Sequence, residues 1–395
     1  MKKIMILGGS ILQLPIIRKA KKMKLYTIVL DYDANAIGLN EADKAYIIST
    51  TDIKSAIEIA KKEKLDSIVT MATDMPMRTV AAVGNKFNLN TISFDTALKA
   101  TDKLLMRKQL ALHNIPIPLF YEVKNLIDFN KAIKNFKDKF IVKPSDGSGS
   151  KGVVLCDHNQ QKDLTSIFYE VMSYSSSGYI LLEEFMNGPE VSVESLTING
   201  KSHVIAITDK RKTALPYFVE TGHSIPSTLD NEVQREIKEV TIAAIESLGI
   251  NTGPTHTELI ITDEGPKIVE IGARLGGDNI TSHLVPLATG IDMVEATIKL
   301  SLGESIDFKK GNNFGAAIRY FHGKDGKLKS VGNVKKLRDK PGVKEIIVTK
   351  KIGESIQEIH SSSDRLGYVI AQDENVNRAI AICEDAINQL EITID

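Results

Sequence analysis

The chain has 395 residues, 42% of them hydrophobic, and its 50 Lys and Arg balance 50 Asp and Glu to a net charge of zero. This length suffices for several packed domains, and the balanced charge argues against a nucleic-acid-binding surface along the whole chain. The two cysteines, Cys156 and Cys383, lie far apart in sequence, so neither a disulfide framework nor a cysteine zinc site is expected. No apolar run is long enough for a signal segment or a membrane span, which predicts a cytoplasmic protein with no nucleic acid and no membrane as partner.

Residues 3–95 alternate short apolar runs with helical patterns, and strands are predicted at 4–7, 26–30 and 67–71 and helices at 14–23 and 53–64. Strands that alternate with helices of this length predict βαβ units and a parallel sheet. The first turn, Gly8-Gly9-Ser10, lacks the GxGxxG pattern, so this domain is expected to frame a site built elsewhere rather than to bind a dinucleotide. Asp74 follows the third strand at the edge where such sheets bind ligands, and is a weak substrate-side candidate.

A second lobe is predicted after residues 114–118, where two prolines exclude a helix and mark a linker. The helix 102–112 precedes the linker, and the lobe reads as strands at 119–123, 139–143, 153–156 and 179–185 with helices at 126–136 and 162–172. Prolines on one flank and the Ser-rich tract 173–178 on the other suit a lobe that hinges.

Residues 140–153, FIVKPSDGSGSKGV, form the first stretch that suggests chemistry. An apolar strand ends at Lys143, and the loop that follows contains Gly147, Ser148, Gly149, Ser150 and Gly152. Glycines let backbone N–H groups approach an anion, and a lysine beside them suits phosphate, so the loop is interpreted as a phosphate cover. The alternative is a mobile hairpin without a ligand. A P-loop is excluded because the run after the loop is extended and β-branched.

Residues 179–194, YILLEEFMNGPEVSVE, form the second such stretch. An adenine needs a slot with apolar faces and hydrogen-bonding edges, and a ribose needs an acceptor for its hydroxyls. The end of this strand could supply both, although glutamates at strand ends often face only solvent. The candidates are Glu183, Glu184, Phe185, Met186 and Glu190.

Residues 253–278 read as a hairpin with its turn at 263–266. Glu258 and Glu270 stand in the two arms, and an odd-numbered loop would place them directly opposite each other on one face. Two carboxylates side by side are favourable if a hard cation such as Mg²⁺ lies between them. The alternative is a solvated face with two independent glutamates. His256, two residues before Glu258, shares its face and could orient substrate or simply be a core histidine.

Residues 208–226 contain Lys210, Arg211, Glu220 and His223 among aromatic residues, which suits recognition of the two charges of an amino acid. A charged surface strand is the equally plain alternative. After residue 303 the pattern predicts strands at 315–321, 343–350 and 366–372, a hairpin turn at 324–327 and a helix at 375–390. This last part has no cluster of reactive residues and is expected to close one wall of the site or to make a dimer contact, with Arg319 pointing inward.

The ordered set of Lys103, Lys143 with its glycine loop, the EEFM run, Glu190, Glu258, Glu270 and Arg274 resembles the ATP-grasp superfamily over roughly residues 1–303. Within it, EIGARLGGD and the stretch that follows resemble the L-amino acid ligases. The resemblance implies a mixed α/β and α+β architecture. Its parts would be a Rossmann-like N-terminal domain (1–113), a hinged lid lobe (114–185), an antiparallel metal and substrate lobe (186–308) and a C-terminal α+β domain (309–395).

The resemblance also implies roles. Lys103 and Lys143 would contact ATP phosphates under the glycine loop, Glu183 to Met186 the adenine, and Glu190 the ribose. Glu258 and Glu270 would hold Mg²⁺ or Mn²⁺, and Arg274 would face the acyl phosphate. Catalysis is assigned to Arg274, Lys143 and His256, and substrate contacts to Lys210, Glu220, His223, Arg274, Gly276 and Gly277. Superfamily members often carry Glu-x-Asn where this chain has Gly272, which leaves water or Asp278 to complete the second metal site.

The implied activity is an ATP-dependent carboxylate–amine ligase that joins an amino acid or similar carboxylate to an amine through an acyl phosphate. Three alternatives stay open: an ATP-dependent carboxylase of the biotin-carboxylase or N-carboxylating type, a ligase for a non-peptide amine, and a non-catalytic nucleotide-binding regulator. The expected partners are small amino acid, carboxylate and amine substrates, with a homodimer left open.

Overall fold

The protein is described from a computed structural model, which covers residues 1–147, 151–157, 163–214, 217–307, 311 and 313–395. Four β-sheets carry the chain, with helices packed against them. The mixed architecture predicted from the sequence is confirmed. In this described part, no helix combines the length and the apolar character that crossing a membrane requires.

The N-terminal sheet is parallel, in the order β3-β2-β1-β4, as the alternating pattern predicts. Strand β3 was not predicted from the sequence. It lies at the edge of the sheet, where half-buried and exposed residues alternate, so it lacks the apolar run that marks the other strands. The strands are β1 Lys3–Leu7, β2 Tyr26–Asp31, β3 Lys44–Ile47 and β4 Ser67–Thr70. The helices are α1 Leu14–Lys22, α2 Ile37–Glu41, α3 Ile53–Glu63, α4 Pro76–Phe87 and α5 Phe94–Thr101.

The lid lobe follows helix α6, Lys103–Leu112, which begins at the capping carboxylate of Asp102. Its antiparallel sheet has the order β5-β8-β6-β7 and buries an aromatic core of Phe129, Phe140 and Phe168. The strands are β5 Phe120–Val123, β6 Phe140–Pro144, β7 Val154–Cys156 and β8 Ile180–Glu184, and the helices are α7 Leu126–Ile133 and α8 Leu164–Ser173.

The largest sheet has eight strands in the order β13-β12-β9-β10-β11-β14-β18-β16. It runs without a break from the central part of the chain into the C-terminal part, so its hydrogen bonds cross the boundary expected at 308, and the four-domain division stays a prediction. The strands are β9 Glu190–Ile198, β10 Lys201–Lys212, β11 Glu220–Ile225, β12 Gly253–Thr262, β13 Gly265–Gly272, β14 Gly315–Phe321, β16 Val343–Val348 and β18 Gly367–Asp373. The associated helices are α9 Asn231–Leu248, α10 Val285–Thr289 and α11 Met293–Ser301, with one π-helical turn at Ile280–Leu284.

A three-stranded sheet completes the C-terminal part, and it corrects one prediction. The hairpin expected at 324–327 is wrong, because β14 already pairs with β11 on one edge and β18 on the other. A strand has only two edges, so the chain after β14 must join another sheet. That sheet has the order β17-β15-β19. Its strands are β15 Gly326–Gly332, β17 Ser355–Ile356 and β19 Glu391–Ile394, and the helices are α12 Val334–Arg338 and α13 Val376–Asn388.

Candidate active site

Glu258 and Glu270 stand directly opposite each other across β12 and β13, as predicted, although the route differs. The connecting turn holds two residues, Asp263 and Glu264, rather than an odd number. The residue pairs next to the turn are therefore shifted by one residue from the predicted register. An extra residue, Val269, forms a β-bulge in β13, and beyond the bulge the two glutamates pair in the predicted register. Both side chains are about one-quarter exposed, at 26% and 27%. The bulge thus brings two like charges together on one accessible face.

Three basic side chains, one from helix α6 and one each from strands β10 and β12, contact this acidic pair. Lys103 Nζ donates to Glu270 Oε1 at 2.7 Å, and Lys210 Nζ donates to Glu258 Oε1 at 2.7 Å. The His256 ring adds a contact from Nε2 to Glu258 Oε1 at 3.4 Å. Two adjacent carboxylates repel each other, and these contacts offset that repulsion.

Lys210 is a buried hub for three carboxylates. Its Nζ lies 2.8 Å from Glu190, 2.6 Å from Glu220 and 2.7 Å from Glu258, and only 2% of its side chain is exposed. Burial alone would lower the pKa of Lys210, but the three carboxylates raise it well above its ordinary value. An ammonium has three donors, and protein carboxylates engage all three here. The predicted contact between Lys210 and substrate stays a prediction. For Lys210 to donate to a substrate, it must first give up its contact with one of these carboxylates.

His256 is held by Glu194, which lies opposite it in the β9–β12 pairing. Nδ1 lies 2.5 Å from Glu194 Oε1, and Glu194 is fully buried. Burial alone would lower the pKa of His256, but the Glu194 carboxylate outweighs it and raises the pKa to about 9. The ring is therefore a cation at neutral pH. Gly276 is needed beside it, since a Cβ there would lie 2.7 Å from His256 Nδ1.

A second buried cluster joins the lid strands to helix α6. Glu183 pairs with Lys143 at 2.6 Å and with Arg107 Nε at 2.8 Å, and Arg107 also donates to the Val269 carbonyl at 2.7 Å. Burial alone would raise the pKa of Glu183, but the two cations lower it to about 2. Burial, opposed by Glu183, lowers the pKa of Lys143. The adenine contact proposed for Glu183 stays a prediction, because this carboxylate is already occupied by two cations.

Arg274 forms a two-pronged ion pair with Asp74 of the N-terminal domain. Nε and Nη2 donate to the two carboxylate oxygens at 2.8 and 3.0 Å. The missing side chain at Gly272 leaves room for this pair, since a Cβ there would lie 2.5 Å from Asp74 Oδ1 and 3.1 Å from Arg274 Cζ. Residue 272 is therefore glycine because the Asp74 carboxylate occupies the space of a side chain.

The remaining predicted residues lie around these clusters. Ser148, Gly149 and Ser150 lie outside the described residues. The Gly147 carbonyl accepts from Lys103 Nζ at 2.7 Å, and Gly152 has a φ of +72° against the Tyr174 ring. Glu184 accepts from the Leu119 backbone N–H at 3.1 Å, Phe185 packs near Phe218, Met186 is buried, and Glu190 also pairs with Lys212. His223 is fully buried, and Gly276 and Gly277 line a cavity.

Sequence reasoning missed Arg107, Glu194 and Arg365 as members of the charged clusters. Arg107 carried a usable signal, because it is four residues after Lys103 on a face of α6 that also buries Leu104 and Leu110. Tyr320, not Arg319, faces the cavity from β14. Arg319 instead donates to the His223 carbonyl at 3.1 Å and approaches Glu384 on α13.

The donors around Glu258 and Glu270 fit a divalent ion of the Mg²⁺ or Mn²⁺ type. Both candidate ligands are carboxylates, the class of ligand that hard cations prefer, and they project from adjacent strands into an accessible face. The contacts with Lys103 and Lys210 show that this position stabilises positive charge.

The comparisons with known proteins agree with this geometry. Residues 136–282 match the ATP-grasp domain, and residues 319–395 match L-amino acid ligase C-terminal domain 2. An uncharacterized protein of Sinorhizobium fredii is 26% identical over 96% of this chain and 80% of its own. An L-arginine-specific L-amino acid ligase of Bacillus subtilis is 25% identical over 86% of this chain and 85% of its own. The crystal structure of an L-amino acid ligase from Bacillus licheniformis shares the fold with a TM-score of 0.86, at 22% identity, over 100% and 99% of the two chains.

The fold, the charged site and these matches define an ATP-grasp enzyme, a ligase that forms a C–N bond with ATP. Within the chain, residues 136–282 are of the ATP-grasp type and residues 319–395 are of the L-amino acid ligase C-terminal type. Enzymes of this class use ATP together with a divalent metal ion.

We predict that Gly272→Ala lowers ATP turnover about 100-fold, because the new Cβ must displace the Asp74–Arg274 pair and a misplacement of about 1 Å at a reacting site can cost that much. Gly311→Ala is the matched control, since a Cβ there meets no atom of the described residues within 4 Å. The measurement is steady-state turnover, with a melting curve to establish folding. If Gly272→Ala acts through this pair, adding it to Asp74→Asn should lower turnover little further than Asp74→Asn alone. A double variant whose loss of turnover equals the product of the two single losses would contradict this.

We predict that Glu183→Gln lowers the free energy of unfolding by about 3 kcal/mol at neutral pH, the equivalent of a pKa shift from 4.5 to about 2. A depressed folded-state pKa stabilises the fold above the unfolded pKa, and this contribution is lost as the pH falls through the folded one. The gap between parent and variant should therefore narrow from pH 4.5 toward pH 2 in denaturant titrations. Glu122→Gln, a more exposed partner of Lys108 in the same lobe, should change stability by at most about 1 kcal/mol. A gap that stays constant with pH would contradict the assignment.

Proposed function

We propose that this chain activates the carboxylate of one amino acid as an acyl phosphate and couples it to the amine of a second, releasing ADP and phosphate. The observation that carries the proposal is the single accessible face on which Glu258, Glu270, Lys103 and Arg274 converge from three parts of the chain. The match to the C-terminal domain of L-amino acid ligases and the likeness to a relative named L-arginine-specific L-amino acid ligase support amino acids as substrates.

In the first step, a carboxylate oxygen of the donor attacks the γ-phosphorus, the bond from that phosphorus to the β–γ bridging oxygen breaks, and ADP leaves with the electron pair. The phosphates carry several negative charges. Lys103 donates to the Gly147 carbonyl at the start of the glycine loop, and Lys143 lies in the strand that leads into it. A magnesium ion held by Glu258 and Glu270 would neutralise charge on the transferring phosphate.

In the second step, the nitrogen of the neutral acceptor amine bonds to the acyl carbon and the carbon–oxygen bond to phosphate breaks. Phosphate leaves with that electron pair and takes up the proton that the amine loses. Negative charge develops on the acyl oxygen. The planar Arg274 guanidinium can donate hydrogen bonds to this oxygen and to a neighbouring phosphate oxygen at the same time. Asp74 fixes the plane of this guanidinium through two hydrogen bonds. His256, a cation at neutral pH, contributes fixed positive charge beside Glu258 rather than a base.

We expect turnover to yield ADP and phosphate, and one carboxylate ¹⁸O of the donor to appear in the phosphate, because phosphate leaves the acyl intermediate with one donor oxygen. Mass spectrometry of phosphate after reaction of an ¹⁸O-labelled amino acid measures this, with bicarbonate as an alternative substrate in a parallel reaction. Stoichiometric AMP and pyrophosphate, or unlabelled phosphate beside a carboxylated product, would sink the proposal.

We expect Arg274→Ala to lower kcat by roughly 100-fold or more while ATP affinity changes little, because its hydrogen bonds strengthen as charge grows in the transition state. Arg274→Lys should rescue poorly, since a point charge cannot engage two oxygens in one plane. The control is Arg18→Ala, which removes a surface arginine with the same two-pronged contact, here to Glu41. The measurements are steady-state kinetics and nucleotide titration. A folded Arg274→Ala protein that turns over at the parent rate would rule out this role.

A further inference from the structure

A cavity of about 540 Å³ lies where the N-terminal sheet, the segment after Arg274 and the C-terminal strands meet. Its volume is in the range of pockets that hold small organic ligands. Gly276 and Gly277 form its floor, two residues beyond the Asp74–Arg274 pair, so it opens beside the proposed reaction site.

One wall of this cavity is apolar. Ile11 and Leu12 line it from the loop after β1, Pro15 from the first turn of α1 and Met71 from just after β4, at the edge where parallel sheets bind their ligands. Ile11 is 64% exposed and Leu12 40% exposed. Large aliphatic side chains held open to a cavity suit an apolar group of a ligand.

The opposite wall carries a buried guanidinium. Arg365 lies over the Tyr320 ring at 3.8 Å, its Nη1 donates to Asp278 Oδ2 at 2.8 Å, and its Nε and Nη2 donate to the Glu220 carbonyl at 3.1 and 2.8 Å. A guanidinium has five N–H donors. Three are engaged, so two remain without a hydrogen-bond partner among the described residues. Because Arg365 lines the cavity and is 7% exposed, these donors suit a carboxylate that enters it.

An acidic group lies next to this guanidinium. His223 is fully buried, and within the described ranges neither ring nitrogen has a hydrogen-bond partner. Its Nε2 lies 3.5 Å from Glu220 Oε2 and 3.7 Å from Asp278 Oδ2. Burial alone would raise the pKa of Asp278, but the His223 ring and the Arg365 guanidinium lower it, so this carboxylate is anionic. Of this group Asp278 lines the cavity, so its carboxylate offers an acceptor to an ammonium.

The ligand atoms of Glu220, His223 and Asp278 lie within 4.8 Å of one another, a spacing that a metal ion could also use. Arg365 bound to Asp278 places a positive charge beside them, which disfavours a metal ion. It favours a ligand that carries both charges. Lys210 then connects Glu220, at 2.6 Å, to Glu258, at 2.7 Å, so the group lies one side chain from the acidic pair.

We propose that this cavity binds the acceptor amino acid, with its carboxylate on Arg365, its ammonium toward Asp278, and an apolar side chain against Ile11 and Leu12. This inference rests on the proposed function. It adds that the acceptor substrate binds in this cavity and that the acceptor is an amino acid with an apolar side chain. A carboxylate held by Arg365 is not the one that is phosphorylated, because that one must lie near Arg274 and Glu270. The ligand of the cavity therefore keeps its carboxylate in the product and is the acceptor.

The test separates activation from coupling with hydroxylamine, a small nucleophile that captures an acyl phosphate as a hydroxamate and has no carboxylate. For Arg365→Gln, the ratio of dipeptide to hydroxamate formation should fall about 50-fold, as loss of a charged two-pronged contact typically costs. Leucine and leucinamide as acceptors give an internal check, because the parent should prefer leucine by a similar factor and Arg365→Gln should not. This ratio is independent of how much of the variant is active.

The apolar wall has its own test. Ile11→Asp should lower kcat/KM for leucine as acceptor at least tenfold and raise it for lysine, whereas Ile47→Asp should leave the preference unchanged. Ile47 is the matched control because it is 63% exposed, belongs to the same domain and lies outside the cavity.

Equal losses of dipeptide and hydroxamate in Arg365→Gln, or an unchanged acceptor preference in Ile11→Asp, would overturn the inference while the proposed function stands. A parent enzyme that forms no hydroxamate with any amino acid would overturn the proposed function and this inference with it.

Discussion

Glu258 and Glu270 face each other across two strands, and two carboxylates so placed repel each other unless positive charge lies beside them. The chain supplies that charge from separate elements: Lys103 from α6, Lys210 from β10, and the His256 ring from β12 itself. Each of these cations is in turn fixed by a further partner. The acidic pair therefore determines how the N-terminal domain, the lid lobe and the large sheet must meet, and a change at any of these contacts alters the charge at the pair.

The sequence predicted the pairing of Glu258 with Glu270 from their spacing of 12 and from β-rich flanks, and the structure has that pairing. The assumed reason was wrong, because the turn is two residues long and a bulge at Val269 corrects the register. Alternating polarity along a strand shows which residues share a face, but a bulge leaves no clear pattern when its neighbours are all apolar. The parallel N-terminal sheet was predictable from its apolar runs. Its edge strand β3 was not, because a half-exposed edge strand lacks such a run.

The contacts that a single sequence could not show join residues far apart in the chain. Arg107 and Glu183 are 76 residues apart, Asp74 and Arg274 are 200 apart, and Arg365 and Asp278 are 87 apart. Local periodicity reports burial, but it does not say which buried charge meets which. Gly272 illustrates the limit: the sequence shows only that a side chain is absent, whereas the structure shows that Asp74 from another domain fills the space. A buried arginine on the apolar face of a helix is the one local sign of such a partner, because a charge is rarely buried without one.

Lys103 makes the lid and the acidic pair interdependent. Its ammonium donates to the Gly147 carbonyl at the start of the glycine loop and to Glu270 Oε1, each at 2.7 Å. An ammonium has three N–H donors, so one donor is left for a further partner while both of these contacts are kept. Under the proposed function, a nucleotide phosphate at this loop would compete with both for this ammonium. If Lys103 turns to the phosphate, Glu270 loses its cation beside Glu258, and the repulsion between the two carboxylates is left to another positive charge. Under the proposed function, the site would therefore accept the phosphates at low electrostatic cost only together with a metal ion, which would link nucleotide binding to the charge balance of the hairpin.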